Sequence, residues 1–300
     1  MRKLFVAGKI MNIRHPVVAG AFYEAAASSC EHHAQRLLGA VKLPSTLPQP
    51  LYGGLVPHAG WAYSGLLAAT TFQALAAQGP LETVVLLGAD HTGSARQGEV
   101  FDSGVWRTPA GEVQVDGELA RALIAADPLL RSNPQAHSQE HSLEVQVPIL
   151  QAINPNVKIV PIGVPPAQIA TAIGRAIGRV LAQKFPKAVV VGSTDLTHHG
   201  GHFGSPGGRG RAGAAWTAAN DRRMLDLIEA MNADEVIREA DEHFNACGAG
   251  AIAATIAATR ELGAAKGITL EYTNSYQIVH ARYPDDPDDT TVGYASVVFA

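Results

Sequence analysis

The 300 residues carry 23 Lys+Arg against 27 Asp+Glu, a net charge of −4, with 47% hydrophobic and 17% charged residues. That balance excludes a disordered chain, which needs low hydropathy and high net charge, and a general nucleic-acid binder, which needs a concentrated positive face. Two cysteines, Cys30 and Cys247, exclude a disulfide framework.

Short β-branched runs alternate with Ala/Leu-rich stretches along the chain. Strands are predicted at 51–56, 83–87, 158–164, 188–191 and 292–299. Helices are predicted at 29–38, 65–77, 117–126, 142–153, 166–184, 212–231, 233–240 and 248–262, with Pro148 expected to kink or shorten the fourth. Strands alternating with helices predict an α/β fold, one domain around a mixed central sheet flanked by helices. The run Thr83-Val84-Val85-Leu86-Leu87 does not alternate and is expected to be buried on both faces. The stretch 98–115 reads as a β-hairpin excursion. The stretch 200–213, with seven glycines, reads as the most flexible part, and the acidic run 285–289 as a solvated turn. Residues 1–11 read as an N-terminal extension to a domain at 12–300. No apolar run reaches the length of a membrane span, and the chain reads as cytoplasmic, with neither membrane nor nucleic acid as partner.

Three predicted strands end in polar, histidine-bearing loops: Pro57-His58-Ala59-Gly60, Gly88-Ala89-Asp90-His91 and Gly192-Ser193-Thr194-Asp195-Leu196-Thr197-His198-His199. Ligands of α/β sheets bind beyond the carboxyl ends of strands, so these loops are expected to converge. Imidazole is the commonest protein metal ligand, which makes a shared metal the simplest reading. Cys247 stands at the start of an Ala-rich helix, a position that lowers a thiol's pKa, although a small buried hydrophobe is the plainer alternative. Cys30 reads as packing, with His32 and His33 facing solvent. His137-Ser138-Gln139-Glu140-His141 matches an inverted zinc-protease motif, but only if both histidines share one helix; Asn133-Pro134 upstream argues against that.

Six ordered motifs add a family resemblance. Arg14–Tyr23, Pro57–Gly65, Gly88–Gly93, Glu140–Glu144, Ser193–His198 and Cys247-Gly248 together resemble the Memo family, also called AmmeMemoRadiSam system protein B. That family is similar in architecture to the class III extradiol (LigB-like) dioxygenases. The resemblance implies a metal pocket at one sheet edge, with His58, His91 and Cys247 as metal ligands and His198 as the acid/base. Asp195 is implied beside His198 as a catalytic residue, and Tyr63, Trp61, His141 and Glu144 as pocket residues. Asp90 and the second histidine, His199, depart from the family pattern: Asp90 adds a carboxylate beside a ligand, which either alters metal affinity or faces solvent, and His199 is an extra candidate donor.

Two imidazoles and a thiolate suit Fe(II), Cu(I) or Zn(II). The leading expectation is an iron-dependent, dioxygenase-like oxidoreductase acting on an unidentified small molecule. The alternative is a peptide-binding or redox-regulatory protein without turnover, in which Arg14, Arg107, Arg209 and Arg211 contact an anionic group. The family's name further implies radical-SAM system proteins as partners.

Overall fold

The computed structural model describes residues 2–6, 9–201, 203–205, 207–286 and 290–300. Among them one sheet runs in the order Arg2–Val6, Lys9–Arg14, Val105–Thr108, Gly111–Val115, Lys158–Gly163, Thr83–Gly88, Val189–Ser193, Gly53–Val56, Thr291–Phe299 and His198–His199. Gly267–Asn274 adds to Thr291–Phe299, and Gly98–Val100 joins Leu130–Ser132 to Lys158–Gly163.

The four strands Lys158–Gly163, Thr83–Gly88, Val189–Ser193 and Gly53–Val56 are parallel, with Thr291–Phe299 antiparallel beside them. This is the mixed, helix-flanked α/β sheet expected. The register pairs Ser193 with Val56 and Gly88 with Gly163, so the loops after Val56, Gly88 and Ser193 leave the sheet on one edge. Strands covered on both faces must be apolar throughout, and residues Val84–Gly88 are all buried.

One face of the sheet packs against the helices Ile169–Lys184 and Ala249–Leu262, the other against Ala27–Ala40, Trp61–Ala76 and Val147–Ile153. The first two helices approach closely because Gly174 has no side chain: a Cβ there would lie 2.1 Å from the Ala254 carbonyl. Cys30 is fully buried, as expected of packing, and His32 is exposed. His33 is instead half-buried, its Nδ1 2.6 Å from Glu24 Oε1 and its ring against Trp61.

Differences from the sequence reading have local causes. The expected helix at 142–153 opens as a 3-10 turn, Glu144–Gln146, and becomes α-helical only at Val147–Ile153. Pro148 lies in the first turn, where its missing N–H costs nothing. The helix expected at 65–77 begins at Trp61, placing Tyr63 on its first turn. The strand Gly267–Asn274 and helix Ser275–Arg282 were not expected; the strand is interrupted by a bulge between Thr269 and Glu271, which blurs its alternation. The 98–115 excursion contains the expected hairpin, Val105–Thr108 against Gly111–Val115. Parts of the glycine-rich stretch 200–213 and of the acidic run 285–289, His202, Pro206 and Pro287 to Asp289, lie outside the described residues. Among the described residues no helix is long and apolar enough to cross a membrane.

Candidate metal centre

His58 follows the Gly53–Val56 strand and is 2% exposed. Its backbone N–H donates to Asp195 Oδ1 (2.7 Å), and its Nδ1 lies 3.0 Å from Ser193 Oγ. Ser193's single hydroxyl hydrogen points to the Ser142 carbonyl (2.8 Å), so the oxygen accepts from His58 Nδ1–H. That fixes the tautomer with a lone pair on Nε2, which lies 3.1 Å from Cys247 Sγ. Burial, reinforced by His91 and His141, holds the His58 pKa well below its ordinary value, so the ring is neutral.

His91 follows the Thr83–Gly88 strand, and Glu140 grips it twice. Glu140 Oε2 accepts the His91 backbone N–H (2.8 Å), and Oε1 lies 2.9 Å from Nδ1. Glu140 Oε1 also accepts from the Ser142 N–H (2.9 Å). Burial opposes ionisation of Glu140, but the His91 hydrogen bond and charge outweigh it and push the carboxyl down to about 2. Burial likewise opposes a charged His91, yet the same partner raises its pKa overall. A carboxylate holding Nδ1–H leaves Nε2 as the ligand atom, the arrangement found behind metal-bound histidines.

The His141 ring stacks on His91 (4.7 Å between centroids, 19° apart) and stands edge-on to His58 (5.7 Å, 85°). Burial, then the neighbouring His91, lowers its pKa. Among the described residues, two sets of donor atoms fall within 4.8 Å of one another: His58, His91 and His141, and His58, Asp195 and Cys247. The three expected ligands are thus divided between two sets that share His58.

Cys247 lies just before the Ala249–Leu262 helix, its N–H donating to the Asp195 carbonyl (3.2 Å) and its sulfur accepting from the Asp195 N–H (3.3 Å). The expected lowering of its pKa is reversed: burial, with the nearby Asp195 carboxyl, pushes the thiol up. The helix terminus does not offset that desolvation, so a metal or base must take the proton before sulfur can act as a thiolate. Asp195 is raised by burial. His198, on the short strand paired with Val292, is lowered by burial against the opposing pull of Asp195. A neutral imidazole here can accept a proton.

Other predicted residues stand elsewhere. Trp61 is buried, its indole N–H donating to the Val145 carbonyl (2.9 Å) and its ring against Tyr23 and His33. Glu144 accepts from Arg14, the Val17 and Val18 N–H groups and the Tyr23 hydroxyl, which occupies its oxygens. Both belong to the packing behind the site, so their expected pocket role is corrected. Tyr63 is 42% exposed. Arg14 is buried over Trp106 and bound to Glu144, which withdraws it from any anionic ligand. Asp90 accepts from the Ser94 and Ala95 N–H groups and ties its own loop. Both His199 ring nitrogens are engaged, by Ser205 Oγ and the Gly208 carbonyl, which removes it as a metal donor. His137 is buried in the Pro134–His137 turn with Nε2 2.8 Å from the Glu99 carbonyl, so the inverted protease geometry is absent. Ser193 and Glu140 orient the two histidines, a role the sequence reading does not give them: Glu140 stands there in the inverted zinc-protease motif, and both stand in the motifs Glu140–Glu144 and Ser193–His198.

The fold and site together define an α/β protein with imidazole, thiol and carboxyl donors gathered at the carboxyl ends of its parallel strands. A family model described as "Memo-like protein" matches residues 14–298, and the chain belongs to that family. It is 35% identical to a MEMO1 family protein of Methanopyrus kandleri over 95% of this chain and 98% of that one. It is 34% identical to a counterpart in Thermococcus kodakarensis (96% and 99% covered) and 36% identical to one in Pyrobaculum aerophilum (96% and 99%). An uncharacterized protein of Escherichia coli K12, known from a crystal structure, aligns with 76% of this chain and 91% of its own at 12% identity and a TM-score of 0.47.

Proposed function

We propose that this Memo-like chain is a metal-dependent oxidoreductase in which His58, His91 and Cys247 hold Fe(II), with Cu(I) or Zn(II) as the competing cations. The observation that carries the reading is the pair of oriented histidines. Ser193 and Glu140 occupy the two Nδ1 positions and leave both Nε2 lone pairs for a cation. Cys247 Sγ lies 3.1 Å from His58 Nε2, close enough for both to hold one cation. Three protein donors would suit a catalytic rather than a closed structural site, and a bound Fe(II) ion would supply one-electron redox chemistry.

The chain's own residues supply the proton handling. His198, neutral and beside Asp195, accepts a proton from a substrate hydroxyl, and Asp195 steadies the imidazolium that forms. Asp195 also holds the His58 backbone, coupling the acid/base loop to the ligand loop. Likeness to ring-cleaving dioxygenases is analogy at the level of fold and does not name the substrate. The proposal keeps a cytoplasmic setting, a small-molecule or peptide ligand, and radical-SAM system proteins as partners.

Elemental analysis after anaerobic purification, followed by O₂-uptake screening with catechol-like compounds, tests this. Near-stoichiometric iron, lost in His58→Ala, with substrate-dependent O₂ uptake is expected. Retained metal without turnover favours the peptide-binding or redox-regulatory alternative. No bound metal after loading with Fe(II), Cu(I) and Zn(II) in turn sinks the metalloprotein reading.

A further inference from the structure

The geometry points to His141 as a metal ligand, completing with His58 and His91 an all-imidazole site that holds a divalent cation without Cys247. The inference rests on the proposed metal site and extends its ligand set.

Three observations converge. The donor nitrogens of His58, His91 and His141 lie within 4.8 Å of one another, and the Cys247 sulfur is not part of that set. The rings enclose a three-sided space: His91 and His141 are stacked 4.7 Å apart, and His58 stands across both, at 86° and 85°. Three imidazoles that face one another at these distances place their ring nitrogens around one common point, which a single cation can occupy.

The surroundings support the assignment. Glu140 Oε1 binds His91 Nδ1 at 2.9 Å and lies 3.9 Å from His141 Nδ1, beyond hydrogen-bond reach. Glu140 therefore backs His91 and Ser193 backs His58, and the His141 ring is left open to a ligand. Phe22 packs edge-on against His141 (5.0 Å) and restrains its rotation. Apart from the longer contact to Glu140, no hydrogen bond engages either ring nitrogen of His141 among the described residues. By contrast, the buried His137 and His199 rings are engaged by carbonyl or hydroxyl oxygens.

His58 is thus the shared wall between two kinds of donor. The His91 and His141 side is all nitrogen and suits borderline cations such as Zn(II), Fe(II) or Ni(II). The Cys247 side offers sulfur and suits Cu(I). The two sides let one pocket accept cations of different softness.

Co(II) titration of chelator-stripped protein reads the two sides separately, because a thiolate ligand adds a near-ultraviolet charge-transfer band and imidazoles do not. Cys247→Ala is expected to bind one Co(II) with that band absent. Adding His141→Ala to Cys247→Ala should weaken Co(II) by at least about 100-fold, since loss of a supporting partner alone costs about 10- to 100-fold. Replacement with His141→Gln in the same background, with a metal-free thermal melt matching that of Cys247→Ala, separates ligand loss from misfolding. Equal affinity in the single and double variants overturns the assignment, as does a Cys247→Ala protein that binds no cobalt. In both cases a wild-type protein that still binds Co(II) with the thiolate band leaves the proposed function standing. A wild type that binds no cobalt overturns both.

Discussion

Two polar regions lie on either side of the Glu140–Glu144 segment, one buried and one opening to the surface at His91, and they differ in what is left over. In one, Arg14, Glu144, Tyr23 and His137 satisfy one another: the guanidinium reaches Glu144 and the Glu140 and His137 carbonyls, while Glu144 accepts two backbone N–H groups and a phenol. In the other, His91 and His141 each keep a ring nitrogen that no hydrogen bond engages among the described residues, while His58 Nε2 meets only the Cys247 sulfur, at 3.1 Å. Both regions use histidines and carboxylates from nearly the same motif. A fully satisfied network is structural; a network with convergent unused donors is a place for a ligand.

The largest effect expected from that contrast is on the satisfied side. Glu144→Ala leaves the Arg14 guanidinium buried and unpaired, and should cost about 3–5 kcal/mol in urea denaturation while leaving the metal stoichiometry of the folded fraction unchanged. A loss below 1 kcal/mol would show that water reaches Arg14.

Acid should act next through His137, whose pKa burial pushes down to about 4 from 6.5. Between those values the unfolded chain binds the extra proton and the folded chain does not. Stability therefore falls as pH drops through that window, by a few kcal/mol, and is fully present above it. Asp221 works in the opposite sense: burial lifts its carboxyl to about 6, so between about 4 and 6 the folded state holds the proton. Comparing wild type with His137→Gln at pH 7 and pH 5 isolates the histidine. The variant should lose much less stability between the two, and an unchanged slope would remove His137 as the cause.

Glu140→Gln tests the unsatisfied side. It keeps an oxygen for the His91 backbone N–H but removes the carboxylate behind Nδ1, and should weaken metal binding about 10- to 100-fold. Isothermal titration with Zn(II) reads this; an unchanged affinity would mean that His91 does not ligate through Nε2. The smallest effect belongs to Asp90→Ala, which removes three loop hydrogen bonds, from the Thr92 hydroxyl and the Ser94 and Ala95 N–H groups. It should lower stability by about 1 kcal/mol with metal affinity within a factor of two, and a larger drop in affinity would restore Asp90 as a donor.

How far the site could be read ahead depended on the residue. His58, His91 and His198 were legible because each follows a predicted strand that ends at the same edge, and the register bears that placement out. Trp61 and Glu144 were misplaced because a motif orders residues along the chain without saying which way each faces. The neighbours His198 and His199 make the point: adjacent on one short strand, one ring stands beside Asp195 and the other is tied to Ser205 and Gly208.

By itself, the sequence determined the α/β class, the order of the central elements and the side chains able to bind a metal. Period, turn residues and donor chemistry are local properties, legible one segment at a time. Only the tertiary structure decided which donors remain free, because a lone pair is used or left over according to partners distant in the chain, as Ser193 is for His58 and Glu140 for His91. It likewise decided that Cys247 is held as a thiol, since burial is a property of the whole packed interior and outweighs the helix terminus that the sequence displays.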